Sequence, residues 1–278
     1  GFSGVFTSEA GRLGLVPDGE VEARGGGGRT RVGTTSGNRI AFGDVVLRDV
    51  TLAHFQRPAT VASDGARAVG IVGYDLLQGH VVRLDFDRGV LEIHDGRSYR
   101  AAGESLPLLV RGRIPGLRAT VELPGGVAVT DEFGLDLGAP YAVHFDSAFV
   151  ARHRLLDDRD GLVRRTMRGV GPAPMVAYEG RTPGLRVGAS AVRDVPALFD
   201  EVSADVHRDD GRIGVMGLAF LRRFNLVFDY GRARIELEPN GSFDAPFVVP
   251  PAPRAALPAT GGAGSGGRTG PTKKEETR

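Results

Sequence analysis

Residues 70–96 and 214–240 of this 278-residue chain are two versions of one segment. The first reads GIVGYDLLQGHVVRLDFDRGVLEIHDG and the second GVMGLAFLRRFNLVFDYGRARIELEPN, aligned without a gap at an offset of 144 residues. Gly70, Gly73, Leu77, Asp85, Arg88 and Glu92 recur as Gly214, Gly217, Leu221, Asp229, Arg232 and Glu236, and most other apolar positions stay apolar. Two look-alike hairpins would need all of these matches to be accidents. A repeat constrains the architecture more than any composition can, because both copies must fold into the same unit. A weaker match sets PYAVHFDS at 140–147 against GFSGVFTS at 1–8, an offset of 139. Both stretches continue into a short helix-like segment and a Leu, EAGRLGL at 9–15 and AFVARHRL at 148–155. Loop insertions absorb the difference between the two offsets.

Each copy reads the same way. An apolar strand leads to a short helix, then to Gly-punctuated hairpins at 21–55 and 162–199. A Gly-apolar-apolar-Gly segment follows, then a helical turn (74–77 and 218–222) and a last hairpin. That hairpin alternates: Val82, Leu84, Phe86 and then Val90, Leu91, Ile93, with Leu226, Phe228, Tyr230 and then Ile235, Leu237 in the copy. Period-two alternation marks half-buried strands, and 87–89 and 231–233 supply the turns. With 42 Gly and 17 Pro, short strands and turns are favoured over long helices. The expectation is an all-β chain of two small barrel-like lobes with short helices: an N-terminal lobe at 1–98, a linker at 99–115, a C-terminal lobe at 116–247 and a disordered Pro/Gly-rich tail at 248–278.

Composition excludes several classes. A net charge of +1 gives no bulk attraction to nucleic acid or anionic lipid. With no cysteine, disulfides, cysteine-ligated zinc and a cysteine nucleophile are ruled out. No apolar run approaches the roughly 20 residues that span a bilayer. Residues 1–8 lack the basic start and apolar stretch of a signal peptide, and the chain starts with Gly rather than Met. The expectation here is that an N-terminal piece precedes it. The compartment is not fixed, with export to the periplasm or cell surface favoured on that ground alone. His54, His80, His94, His144, His153 and His207 form no metal spacing and read as surface or turn residues. The acidic run Asp157, Asp158, Asp160 would need a closing Glu where Arg168 stands, so it reads as a solvated turn. The G-x-G-x-x-G at 262–267 has no strand before it and no apolar helix after it. No G-x-S-x-G elbow is present. Neither a metal nor a cofactor is expected.

FGLDLGAPYAV at 133–143, IGVMGLAFL at 213–221 and FNLVFDYGRARIELEP at 224–239, with VGIVGYDLL and VVRLDFDRGVLEI in the first copy, carry a resemblance. The chain resembles the bacterial retropepsin-like aspartyl proteases in which two modules are fused, over about residues 1–240. The resemblance implies an acid-protease-like fold and an aspartic endopeptidase acting on an extended peptide or protein in a cleft between the lobes. It implies that Asp136 is the catalytic aspartate of the second lobe and that Leu137, Gly138 and Ala139 form its active-site loop. The first lobe's aspartate would fall at position −4, ahead of Gly1, so the chain is expected to be a fragment inactive alone. The family's hydroxyl residue after the aspartate is Leu137 here, which cannot hydrogen-bond the two site loops together. Asp136 as a turn-capping residue before Gly138, and the whole chain as a non-catalytic peptide-binding module, are the other readings. Sharing of Asp136 between two copies of the chain is a third, and the oligomeric state is open. Flaps closing on the peptide are expected at 25–37 and 168–184. Asp85 and Asp229 read as turn and salt-bridge residues.

Overall fold

The computed structural model describes residues 1–56, 67–101, 103–158, 160–202 and 211–247. The tail read at 248–278, the Gly motif at 262–267 and His207 lie outside them. The first half runs β1 (Gly4–Phe6), α1 (Thr7–Arg12), β2 (Gly19–Gly25), β3 (Gly28–Phe42), β4 (Val45–Phe55), β5 (Gly70–Ile71), α2 (Tyr74–Leu77), β6 (Val81–Asp85) and β7 (Val90–His94). Residues 99–115, read as a linker, hold β8 (Ser105–Pro107), β9 (Leu109–Arg111) and the start of β10 (Ile114–Glu122). Then come β11 (Ala128–Asp136), β12 (Val143–Phe145), α3 (Ser147–Arg152), β13 (Val163–Arg168), β14 (Pro174–Val187), β15 (Ser190–Val202), β16 (Gly214–Gly217), α4 (Leu218–Leu221), β17 (Phe224–Asp229) and β18 (Arg234–Pro239).

Strand pairing repeats between the halves. In the first, β1 lies between a parallel β4 and an antiparallel β5; in the second, β12 lies between a parallel β15 and an antiparallel β16. The hairpin β2–β3 extends from β4 as β13–β14 extends from β15. Helices α1 and α3 stand 140 residues apart, and so do their closing bonds, Leu13 N to Glu9 O and His153 N to Phe149 O. The glycines agree. A Cβ on Gly70 would meet the carbonyl of Gly4, and one on Gly214 that of His144. The offset of 139 read from the sequence is therefore one residue short. Short apolar strands slide past each other at little cost in similarity, whereas a carbonyl packed on a Cα fixes the register.

The second half closes. β14, β15, β12, β16, β11 and β10 pair in turn, and β10 pairs back to β14 with Val121 opposite Leu185. Closure leaves none of these six strands at an edge and encloses the main core, with Leu117, Val121, Phe133, Phe145 and Leu185 almost fully buried. Each such Phe or Leu contributes about 1.5–3 kcal/mol by leaving water. The first half has a small core of its own, Phe6, Ala23, Ala53 and Phe55, against which Val170 of the second half packs.

The last hairpins of the halves join in one sheet, in the order β7-β6-β17-β18-β8. β6 and β17 are antiparallel, with Leu84 opposite Leu226, Arg83 opposite Val227 and Val82 opposite Phe228. Arg83 and Val227 are separated by the repeat's own offset of 144, so the local two-fold axis passes through that pair. Asp85 and Asp229 act as the sequence reading holds. Their Oδ1 atoms accept from the backbone N–H of Arg88 (2.9 Å) and Arg232 (3.0 Å), and Asp229 Oδ2 also binds Arg232 and Arg234.

Candidate functional site

Asp136 ends β11, and the parallel pairing of β11 with β16 puts it opposite Gly217. The chain then loops over the end of β16 and returns as β12 on that strand's other edge. Three backbone bonds tie the loop down: Leu218 N to Ala139 O (2.7 Å), Gly217 N to Ala142 O (2.9 Å) and Ala219 N to Tyr141 O (3.1 Å). Gly217 is required here, because a Cβ would sit 2.3 Å from the carbonyl of Tyr141 and 2.8 Å from that of Ala139. The first half repeats the contact: a Cβ on Gly73 would lie 2.4 Å from the carbonyl of Gly1, which accepts from Tyr74 N at 2.9 Å.

The Asp136 side chain is exposed, and its Oδ1 accepts from Gly138 N at 2.8 Å. Leu137 packs partly buried against the main core, Ala139 is buried and Gly138 is exposed. The four residues thus form one tight turn with the carboxylate at its outer side. Burial lowers the Gly1 amine from its ordinary value, the charges of Asp136 and Asp75 push it back up, and Arg113 lowers it. These three side chains therefore converge where the halves meet. The Arg113 guanidinium lies 5.2 Å from the Phe2 ring centroid and 5.8 Å from that of Tyr74, and Tyr74 meets Tyr230 edge to face at 5.5 Å. Such cation–π contacts contribute about 0.5–1 kcal/mol each at exposed sites.

A buried ion cluster holds β11 to its neighbours. Glu132 and Arg212 are 6% and 3% exposed and meet at 2.8 Å. Arg111 grips the same carboxylate, and Arg212 Nη2 also donates to Ile114 O at 3.0 Å. Burial pushes the Glu132 carboxyl up, but the hydrogen bonds and charges of Arg111 and Arg212 together outweigh it and hold the group below the usual carboxylate range.

The stretches expected as flaps are hairpins whose tips touch. Gly27 N donates to Val170 O at 2.9 Å, and Ala173 N donates back to Gly27 O at 3.0 Å. A Cβ on Gly171, whose φ is +116°, would overlap the Gly27 backbone at 2.3 Å.

Two sequence readings need correction or addition. His54 and His144 read as surface or turn residues in the sequence, but the structure buries them at 7% and 6% exposure. On β12 Val143 and Phe145 join the main core, so His144 turns to the other face, where its Nε2 meets Asp200 Oδ1 at 2.6 Å. That pair spans 56 residues, and no spacing in the sequence announces it. Tyr141, in the Asp136 loop, is a second residue for which the sequence carries no signal. Its ring meets His144 edge-on at 5.1 Å, and burial, then the charges of Asp136 and Asp200, push its phenol well above the usual range. Among the described residues no group of three or more His, Asp or Glu could hold a metal ion, and no helix is long and apolar enough to cross a membrane.

The protein is thus mostly β, with a closed six-stranded barrel and a few short helices, consistent with an acid-protease-like fold. Among solved structures, the chain is similar to the crystal structure of a retropepsin-like aspartic protease from Rickettsia conorii, at 17% identity and a TM-score of 0.34, over 49% of this chain and 93% of that one. No protein-family model matches the chain, and no curated protein matches it.

Proposed function

We propose that this protein is an aspartic endopeptidase and that Asp136 is one carboxylate of its catalytic pair. The supporting observation is the paired geometry. The loop that carries Asp136 over Gly217 is matched by the contact of Gly1 with Gly73 in the other half. β16 carries β11 on one edge, whereas among the described residues β5 pairs with β1 alone, with Val69, Ile71 and Val72 exposed around it. A catalytic pair needs a second carboxylate facing Asp136. Two carboxylates so close share one proton. The ionised one takes a proton from a water that attacks the peptide carbonyl, the protonated one gives its proton to the carbonyl oxygen, and the C–N bond then breaks with proton transfer to the amine. An extended peptide pairing as an added strand is the substrate, and the hairpins at 25–37 and 168–184 are its covers.

Leu137 favours a second reading, a peptide-binding module without turnover, because Leu supplies no hydroxyl to lock the site loops. One experiment separates the two. Cleavage of a fluorogenic peptide library at pH 3–6 and binding of the statine peptide pepstatin are measured on the longest polypeptide the gene encodes, with and without Asp136→Asn. Cleavage lost in Asp136→Asn supports the peptidase. Binding without cleavage supports the module. Cleavage that survives Asp136→Asn rejects the assignment.

A further inference from the structure

Tyr141, His144 and Asp200 form a line of contacts that starts in the loop carrying Asp136 and ends in the barrel wall. The base of the line is rigid. His144 and Asp200 are 6% and 5% exposed and meet at 2.6 Å. A charged or strongly polarised pair taken out of water is retained only with good geometry, and here it occupies the face of β12 and β15 turned away from the core. The tyrosine ring stands on it edge to face, with an interplanar angle of 81°. Its other side closes over Gly217, where a Cβ would lie 3.0 Å from Tyr141 Cδ2, and its carbonyl is held by Ala219 N. Backbone and ring are therefore both fixed, five residues beyond Asp136 in the same loop. Burial and the charges of Asp136 and Asp200 push the phenol above its ordinary value, which favours the protonated form, a hydrogen-bond donor. By the offset of 140 its counterpart in the first half is Gly1, which has no side chain. The donor is present on one side of the site only.

We propose that Tyr141 donates a hydrogen bond to a backbone carbonyl of the bound peptide beside Asp136, and that His144 and Asp200 are a positioning pair that holds its ring for this. The donor role rests on the peptidase reading; the positioning role does not. The asymmetry gives a nearly two-fold groove a direction, since a peptide laid in it one way presents a carbonyl to the phenol and reversed presents its carbonyls elsewhere.

The test uses Tyr141→Phe and the double variant His144→Leu/Asp200→Leu, which removes both polar partners and so leaves no unpaired buried charge. Pepstatin binding by calorimetry is expected to weaken about five- to tenfold in Tyr141→Phe, the effect of one net hydrogen bond. The double variant is expected to lose a similar factor and to add nothing when combined with Tyr141→Phe. A second readout needs no ligand. The chain has five tyrosines, so the ring-labelled carbon signal of Tyr141 is found by its loss in Tyr141→Phe. In the double variant that signal should shift, and its ring should flip faster, while the other four stay in place. An unmoved signal overturns the positioning role. Unchanged pepstatin affinity in Tyr141→Phe overturns the donor role. If the wild-type protein neither binds pepstatin nor cleaves peptide, the peptidase reading and the donor role fall together, and the Tyr141 signal still decides the positioning role.

Discussion

Replacing Arg212 by Leu should be among the most damaging single changes in the second half. Its guanidinium is almost wholly buried, meets Glu132 at 2.8 Å, and covers the carbonyl of Ile114. Without it, Glu132 stays 6% exposed with Arg111 as its cationic neighbour, and Arg111 is itself half exposed to water. The buried Glu132 charge then keeps only the half-exposed Arg111, and the carbonyl of Ile114 loses its donor. Breaking a buried pair by removing one member costs about 3–5 kcal/mol. For a chain of this size that corresponds to a fall in Tm of about 6–20 °C. Urea unfolding followed by circular dichroism measures it, since the chain has no Trp for fluorescence. The double variant Arg212→Leu/Glu132→Leu removes both charges and should recover most of the loss. The pair also sets an acid limit. The folded Glu132 pKa lies below its unfolded value, so the unfolded state takes up the proton first. The stabilisation is complete above the unfolded carboxylate value of about 4.3 and fades as pH falls through the lower folded value. The double variant should therefore show a shallower acid limb. A loss under 1 kcal/mol in Arg212→Leu, or a double variant no better than the single one, would refute the reasoning.

Two other outcomes follow from the repeat. Ala233 has φ +50° where its counterpart Gly89 has φ +65°, so Ala233→Gly should raise stability by about 0.5–1 kcal/mol in urea melts, because L-side chains pay for the left-handed region. Gly217→Ala should lower stability by about 1–3 kcal/mol, as its Cβ lands on the Tyr141 carbonyl, and should abolish pepstatin binding by moving the Asp136 loop; Gly79→Ala, with nothing within 4 Å, should do neither.

Sequence and structure agree where the repeat itself carries the information. Gly70, Gly73, Asp85 and their copies are legible because each does a backbone job that few residues can do: a close approach to a carbonyl, or a turn capped by a carboxylate. The Asp136 loop is legible for the same reason, through Gly138 and Gly217. Other features were hidden because they depend on which face a residue takes and on partners far away in the chain. Closure of the barrel pairs Glu122 with Gly184, and β8 finds β18 across more than a hundred residues. The strands at 105–111 are short and do not alternate, so they read as connection. His144 looked like any surface histidine until the strand's alternation placed it opposite the core and next to Asp200.

The axial pair Arg83–Val227 shows what covalent fusion permits. Two identical modules meeting on such an axis would have to put the same residue on both sides of it, either two guanidinium groups face to face or two valines. In a single polypeptide the two positions answer to separate codons, and they have parted company. Arg83 engages Asp85, Glu92 and Glu238, while Val227 is 4% exposed. A mixed Arg–Val pair cannot stand on the axis of a symmetric homodimer of either half; making both positions Val would remove the contacts of Arg83 and leave Asp85 and Glu92 with Arg88 as their cationic neighbour.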